Sequence, residues 1–105
     1  MSLSAPPIRI LVIRTWTELA PLRTALRGLG HRVYMTNVDI EPALNAALAR
    51  TSFDVVAYDP RTPGIARETL AARMREHGRN IPVVEVTSVE QAAHEIAKLL
   101  ASRAN

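Results

Sequence analysis

Four short apolar runs alternate strictly with four stretches of helical periodicity, and this alternation limits what the 105-residue chain can fold into more than any other feature. Ile8 to Ile13 is apolar at every position except Arg9, and Leu19, Leu22, Leu26 and Leu29 then recur along one helical face until Gly28 and Gly30 end it. His31 to Thr36 is strand-like, and Pro42 to Arg50 is helical with Leu44 and Leu48 one turn apart. Phe53 to Tyr58 forms the third apolar run. Ile65 to His77 follows as a helix with Ile65, Thr69 or Leu70, and Met74 on one face, stopped by Gly78. Ile81 to Val86 is the fourth strand. Ser88 to Ser102 is the last helix, with Ser88 and Gln91 spaced as a capping box and Val89, Ala93, Ile96, Leu99 and Leu100 facing inward.

Strict alternation of this kind predicts a parallel sheet covered on both faces, because a right-handed crossover lays each helix back on the sheet. The strands are apolar enough to be buried on both sides. The expected fold is therefore an α/β domain with a flavodoxin-like, four-stranded parallel sheet ordered 2-1-3-4. The first and last helices should lie on one face and the two middle helices on the other. Residues 8–103 form this single domain, and residues 1–7, ending in Ala5-Pro6-Pro7, read as a loose lead-in.

The composition narrows the function classes. A hydrophobic content of 48% is that of a globular domain, and the absence of cysteine removes disulfides, cysteine metal sites and thiol nucleophiles together. The run Ile8 to Ile13 is too short to cross a bilayer, so no membrane partner is expected and a cytoplasmic location fits best. The net charge of +3 raises the question of nucleic acid. The arginines are scattered, however, from Arg9 and Arg14 through Arg23, Arg27 and Arg32 to Arg50, Arg61 and Arg67, and one Phe and one Trp make no stacking platform.

Segment by segment, residues 8–103 resemble the receiver domain of bacterial response regulators. The run Ile81-Pro-Val-Val-Glu-Val-Thr87-Ser88 is similar to the family's fourth strand, which ends in a functional Thr or Ser at the position of Thr87. Asp59 followed by Pro63-Gly64 is similar to its phosphoacceptor Asp with Pro and Gly four and five residues later. Leu29-Gly30-His31-Arg32-Val33 resembles the junction into the second strand, and Phe53-Asp54-Val55-Val56 the start of the third. In a sheet ordered 2-1-3-4 the crevice opens at the carboxyl ends of strands 1 and 3. Arg14, Thr15, Trp16, Asp59 and Arg61 should gather there, with Thr87 beside them.

The chain departs from that pattern in two places. Where the family carries an acidic pair that helps hold magnesium, this sequence has Arg14 and Thr15, and a guanidinium repels the cation. Phosphoryl transfer would lose its charge neutraliser, and Arg14 is placed to pair with Asp59 instead. After Thr87 the chain runs directly into Ser88-Val89-Glu90, which implies loss of the family's fourth helix and fifth strand. The only lysine, Lys98, is off the spacing of the family's functional Lys. Strand 4 then becomes an edge, on which Glu85 discourages strand pairing.

These residues have plainer readings too. Asp59 before Pro60 can organise a turn, Thr87 can cap the last helix in competition with Ser88, and Trp16 can fold back over the first helix rather than anchor a partner. His31, His77 and His94 have no metal-ligand spacing, so neither metal nor cofactor is expected, and no nucleophile–base pair marks a catalytic centre. The resemblance implies a non-catalytic signalling or scaffold module that works through protein contacts. It would self-associate or dock a partner through strand 4 and the C-terminal helix, by side-chain packing from Ile81, Val83 and that helix. Two other readings stay open: a single-domain response regulator phosphorylated on Asp59, and a small-anion or nucleotide site built on Arg14 and Arg61.

Overall fold

The computed structural model of the protein describes residues 7–14, 19–28, 30 and 32–103. Residues 1–6, Thr15, Trp16, Leu29 and His31 lie outside the described residues, as do the side chains of Leu19 and Val89. The chain alternates β1 (Ile8–Ile13), α1 (Leu19–Gly28), β2 (Val33–Val38), α2 (Glu41–Arg50), β3 (Val55–Tyr58), α3 (Arg67–Glu76), β4 (Val83–Glu85) and α4 (Val89–Arg103). The four strands make one parallel sheet in the order β2-β1-β3-β4, the flavodoxin-like arrangement that the alternation predicts.

Because strand side chains alternate across a sheet, β1 and β3 feed two separate cores. Leu11, Ile13, Val56 and Tyr58 pack on one side with Leu44 and Leu48 of α2 and Leu70 and Met74 of α3. Ile10, Val12, Val55 and Ala57 pack on the other with Leu22 and Leu26 of α1 and Ala92 and Ile96 of α4. The first and last helices thus share one face and the middle two the other. Leu70 rather than Thr69 is the buried member of its pair in α3.

The elements begin and end where side chains intervene. β3 starts two residues later than Phe53 because the Asp54 carboxylate, at 2.9 Å, accepts the Arg9 N–H. α3 starts at Arg67, leaving Ile65 fully buried in the preceding loop. It ends in a Schellman motif: Gly78 at φ 66° donates to Arg75 O, and Arg79 donates to Met74 O at 2.8 Å. Gly30 turns the chain out of α1 at φ 91°.

Candidate functional site

The carboxyl ends of β1 and β3 deliver Arg14 and Asp59 side by side, and the first turn after β3 adds Arg61. Asp59 N–H donates to Ile13 O at 3.0 Å, which continues the β1–β3 ladder and fixes the carboxylate at the crevice. The residue is only 4% exposed.

Each oxygen of that carboxylate is taken by a cation. Oδ1 accepts the Arg61 backbone N–H at 2.9 Å and Arg61 Nε at 3.1 Å, while Oδ2 accepts Arg61 Nη2 at 2.9 Å. Arg14 Nε stands 3.3 Å from Oδ2, realising the expected pair. The side-chain hydrogen bonds from Arg61 hold the Asp59 carboxyl below its usual range, against the opposing effect of burial, with the Arg61 backbone bond and the Arg14 charge helping. Arg61 Nη2 also donates to Thr87 O at 3.1 Å, so the backbone of the predicted Thr87 position joins the cluster.

The Thr87 side chain turns elsewhere. Its hydroxyl and its N–H both donate to Gln91 Oε1, at 3.2 and 2.9 Å, while Ser88 Oγ accepts the Gln91 N–H at 3.1 Å. Ser88 is therefore the cap of α4, and Gln91 closes the box on the residue before it. A Ser88→Ala chain is expected to lose about 1 kcal/mol of stability. In a domain of this size that lowers the melting midpoint by about 4–8 °C; a differential scanning calorimetry trace unchanged within error would contradict the cap.

Asn37 and Thr62 position the site without a sequence signal of their own, and Tyr58 and Gly64 make contacts there that the sequence does not show. Asn37 Nδ2 donates to Val12 O at 2.9 Å, tying β2 to the end of β1. The buried Thr62 hydroxyl donates to Ile13 O at 3.2 Å, and Tyr58 Oη donates to Ile65 O at 2.8 Å beneath the same loop. Burial pushes the Tyr58 phenol pKa up. Gly64 lies against the backbone of Asp39 and Ile40, where any β-carbon would collide with the Asp39 carbonyl oxygen.

A divalent cation at Asp59 would meet two guanidinium groups and a carboxylate with both oxygens engaged, so the donor set does not fit magnesium. Among the described residues, no three histidine, aspartate or glutamate side chains gather as a metal site. No described helix is long and apolar enough to cross a membrane. In comparisons with protein-family models, curated proteins and solved structures, the chain matches none.

Proposed function

We propose that the chain is a receiver-like signalling or scaffold module of the cytoplasm that acts through protein contacts rather than catalysis. One observation carries this reading: the carboxylate at the phosphoacceptor-like position is already neutralised, by Arg61 through three hydrogen bonds and by Arg14 at 3.3 Å. A carboxylate must attack phosphorus with a free lone pair and with metal to offset the gathering charge. Here both oxygens are engaged by donors, and the arginines hold the site in one fixed electrostatic state. The same contacts weaken the case for an anion pocket, because the two guanidinium groups already face a carboxylate.

The test is incubation with acetyl phosphate and magnesium, followed by intact-mass spectrometry. The native chain is expected to gain no phosphate. Stoichiometric labelling that disappears in Asp59→Asn would overturn the proposal and restore the phosphorylated-regulator reading. An Arg14→Asp/Thr15→Asp chain, which supplies acids where the receiver pattern has them, is expected to bind magnesium measurably by isothermal titration where the native chain does not.

A further inference from the structure

An open groove of about 370 Å³ lies between α3 and the β4 edge, with Tyr58 among its lining residues. Its walls come from one stripe of α3, with Arg67, Leu70, Ala71, Met74 and Arg75 at helical spacing, and from Val83 and Glu85 opposite. Arg79, just past the helix, stands at its rim. Val83 is 41% exposed, high for a valine in a strand.

Among the described residues, the outward backbone groups of the same two β4 residues have no strand partner. Val56 N–H donates to Pro82 O and Val86 N–H to Tyr58 O, each at 2.9 Å, so the peptide groups of Pro82, Val84 and Val86 face β3. By alternation, those of Val83 and Glu85 face outward from the sheet. A strand laid against this edge would therefore bond to the residues whose side chains wall the groove, and would drop every second side chain of its own into it.

Charge selects the occupant. Three arginines line the groove against one glutamate, and Glu85 is already bound by Arg67 at 2.7 and 2.8 Å. That pairing removes the repulsion by which Glu85 would discourage an incoming acidic strand. Arg79 spends its donors on Leu48 O and Ser52 Oγ, which are uncharged, and the exposed Arg75 side chain makes no hydrogen bond or ion pair with another described residue. A second copy is a poor match. Two-fold pairing of β4 with itself would face arginine with arginine, and β2, the other sheet edge, reads VYMTNV with no acid.

We propose that the β4 edge and the α3 groove together bind an extended, acidic peptide segment of a partner protein by strand addition, with an apolar side chain on Leu70, Met74 and Val83 and flanking carboxylates toward Arg75 and Arg79. This rests on the reading of the chain as a protein-contact module and names the chemistry of its partner. Backbone bonds supply the affinity and the groove supplies the selectivity.

The probe is a fluorescein-labelled heptapeptide, Ser-Glu-Thr-Val-Thr-Glu-Ser, which puts Glu, Val and Glu on one face. Fluorescence anisotropy against the full chain is expected to show saturable binding. Arg75→Glu, with its melting midpoint unchanged, should weaken that binding about fivefold. Two N-methylated peptides separate strand addition from side-chain docking: one methylated at Glu and Val, the other at the two Thr. Strand addition requires that one of them loses binding and the other keeps it. Equal behaviour of the two, equal binding of a lysine-for-glutamate peptide, indifference to Arg75→Glu, or no binding at millimolar peptide would each overturn the proposal. Sedimentation of the chain alone as a dimer dissociated by Val83→Asp would overturn it in favour of a second copy. The acetyl phosphate experiment stands apart, since labelling of Asp59 defeats the module reading whether or not the groove binds peptide.

Discussion

A Gly64→Ala chain is expected to be less stable than the native one by about 2–3 kcal/mol, the upper part of the range that forced overpacking costs. Gly64 has an ordinary negative φ, so the cost does not come from a backbone conformation that alanine avoids. It comes from contact: the added methyl would strike the Asp39 carbonyl, and backbone atoms cannot swing aside as a side chain tip can. Relief requires the β2–α2 and β3–α3 loops to separate. That motion would strain the Tyr58 Oη to Ile65 O bond and the Thr62 Oγ1 to Ile13 O bond, which hold the second loop down. Gly78 supplies the comparison. It sits at φ 66° with no atom within 4 Å of a β-carbon, so Gly78→Ala pays only for the left-handed conformation, about 1–2 kcal/mol. Urea denaturation of both variants checks the ranking, and a Gly64→Ala loss no larger than that of Gly78→Ala would show that the loops part easily.

The architecture was legible because it depends on periodicity, which is a local property. Runs such as Val55 to Tyr58, buried at all four positions, can sit only in the interior of a two-sided sheet, and the direct step from Thr87 to Ser88 left no residues for another crossover. The meeting of Arg14 with Asp59 was legible for a topological reason, since the order 2-1-3-4 brings those strand ends together whatever the loops do. Arg61 was placed near the site, but its three bonds to Asp59 depend on the rotamer and on the turn made by Pro60, and neither follows from spacing. Gly64 against Asp39 could not be read at all, because it joins two loops separated by a whole helix and strand. The docking surface expected from the sequence joins strand 4 to the C-terminal helix, whereas the open groove lies between the β4 edge and α3. Ala92 and Ile96 of α4 are buried with Val86, and Val84 is partly buried against them, so α4 packs on that face of β4. On the opposite face α3 stops short of the edge, and the space it leaves is the groove.

Asp59→Asn is expected to cost about 1–3 kcal/mol at neutral pH, the penalty for removing the charged partner from a buried, hydrogen-bonded pair, with the lower half favoured because Arg61 is largely exposed to solvent. The pH dependence gives the prediction its sign. Asp59 titrates lower in the folded chain than in the unfolded one, where an aspartate titrates at about 3.9. Its ion pairs therefore stabilise the fold fully above that value, and the contribution is lost as pH falls through the folded-state pKa. The gap in unfolding free energy between the native chain and Asp59→Asn should accordingly be widest near neutrality and narrow steadily in acid. Urea melts at a series of pH values measure it, and a gap that stays constant into acid would mean that the carboxylate's charge contributes nothing. The two arginines should also separate. The side-chain hydrogen bonds of Arg61 lower the Asp59 pKa most, whereas Arg14 acts through its charge alone. Arg61→Gln should therefore flatten the acid limb of the stability curve more than Arg14→Gln, even though Arg14 is the more buried of the two and Arg61 keeps its backbone bond to the carboxylate in either chain.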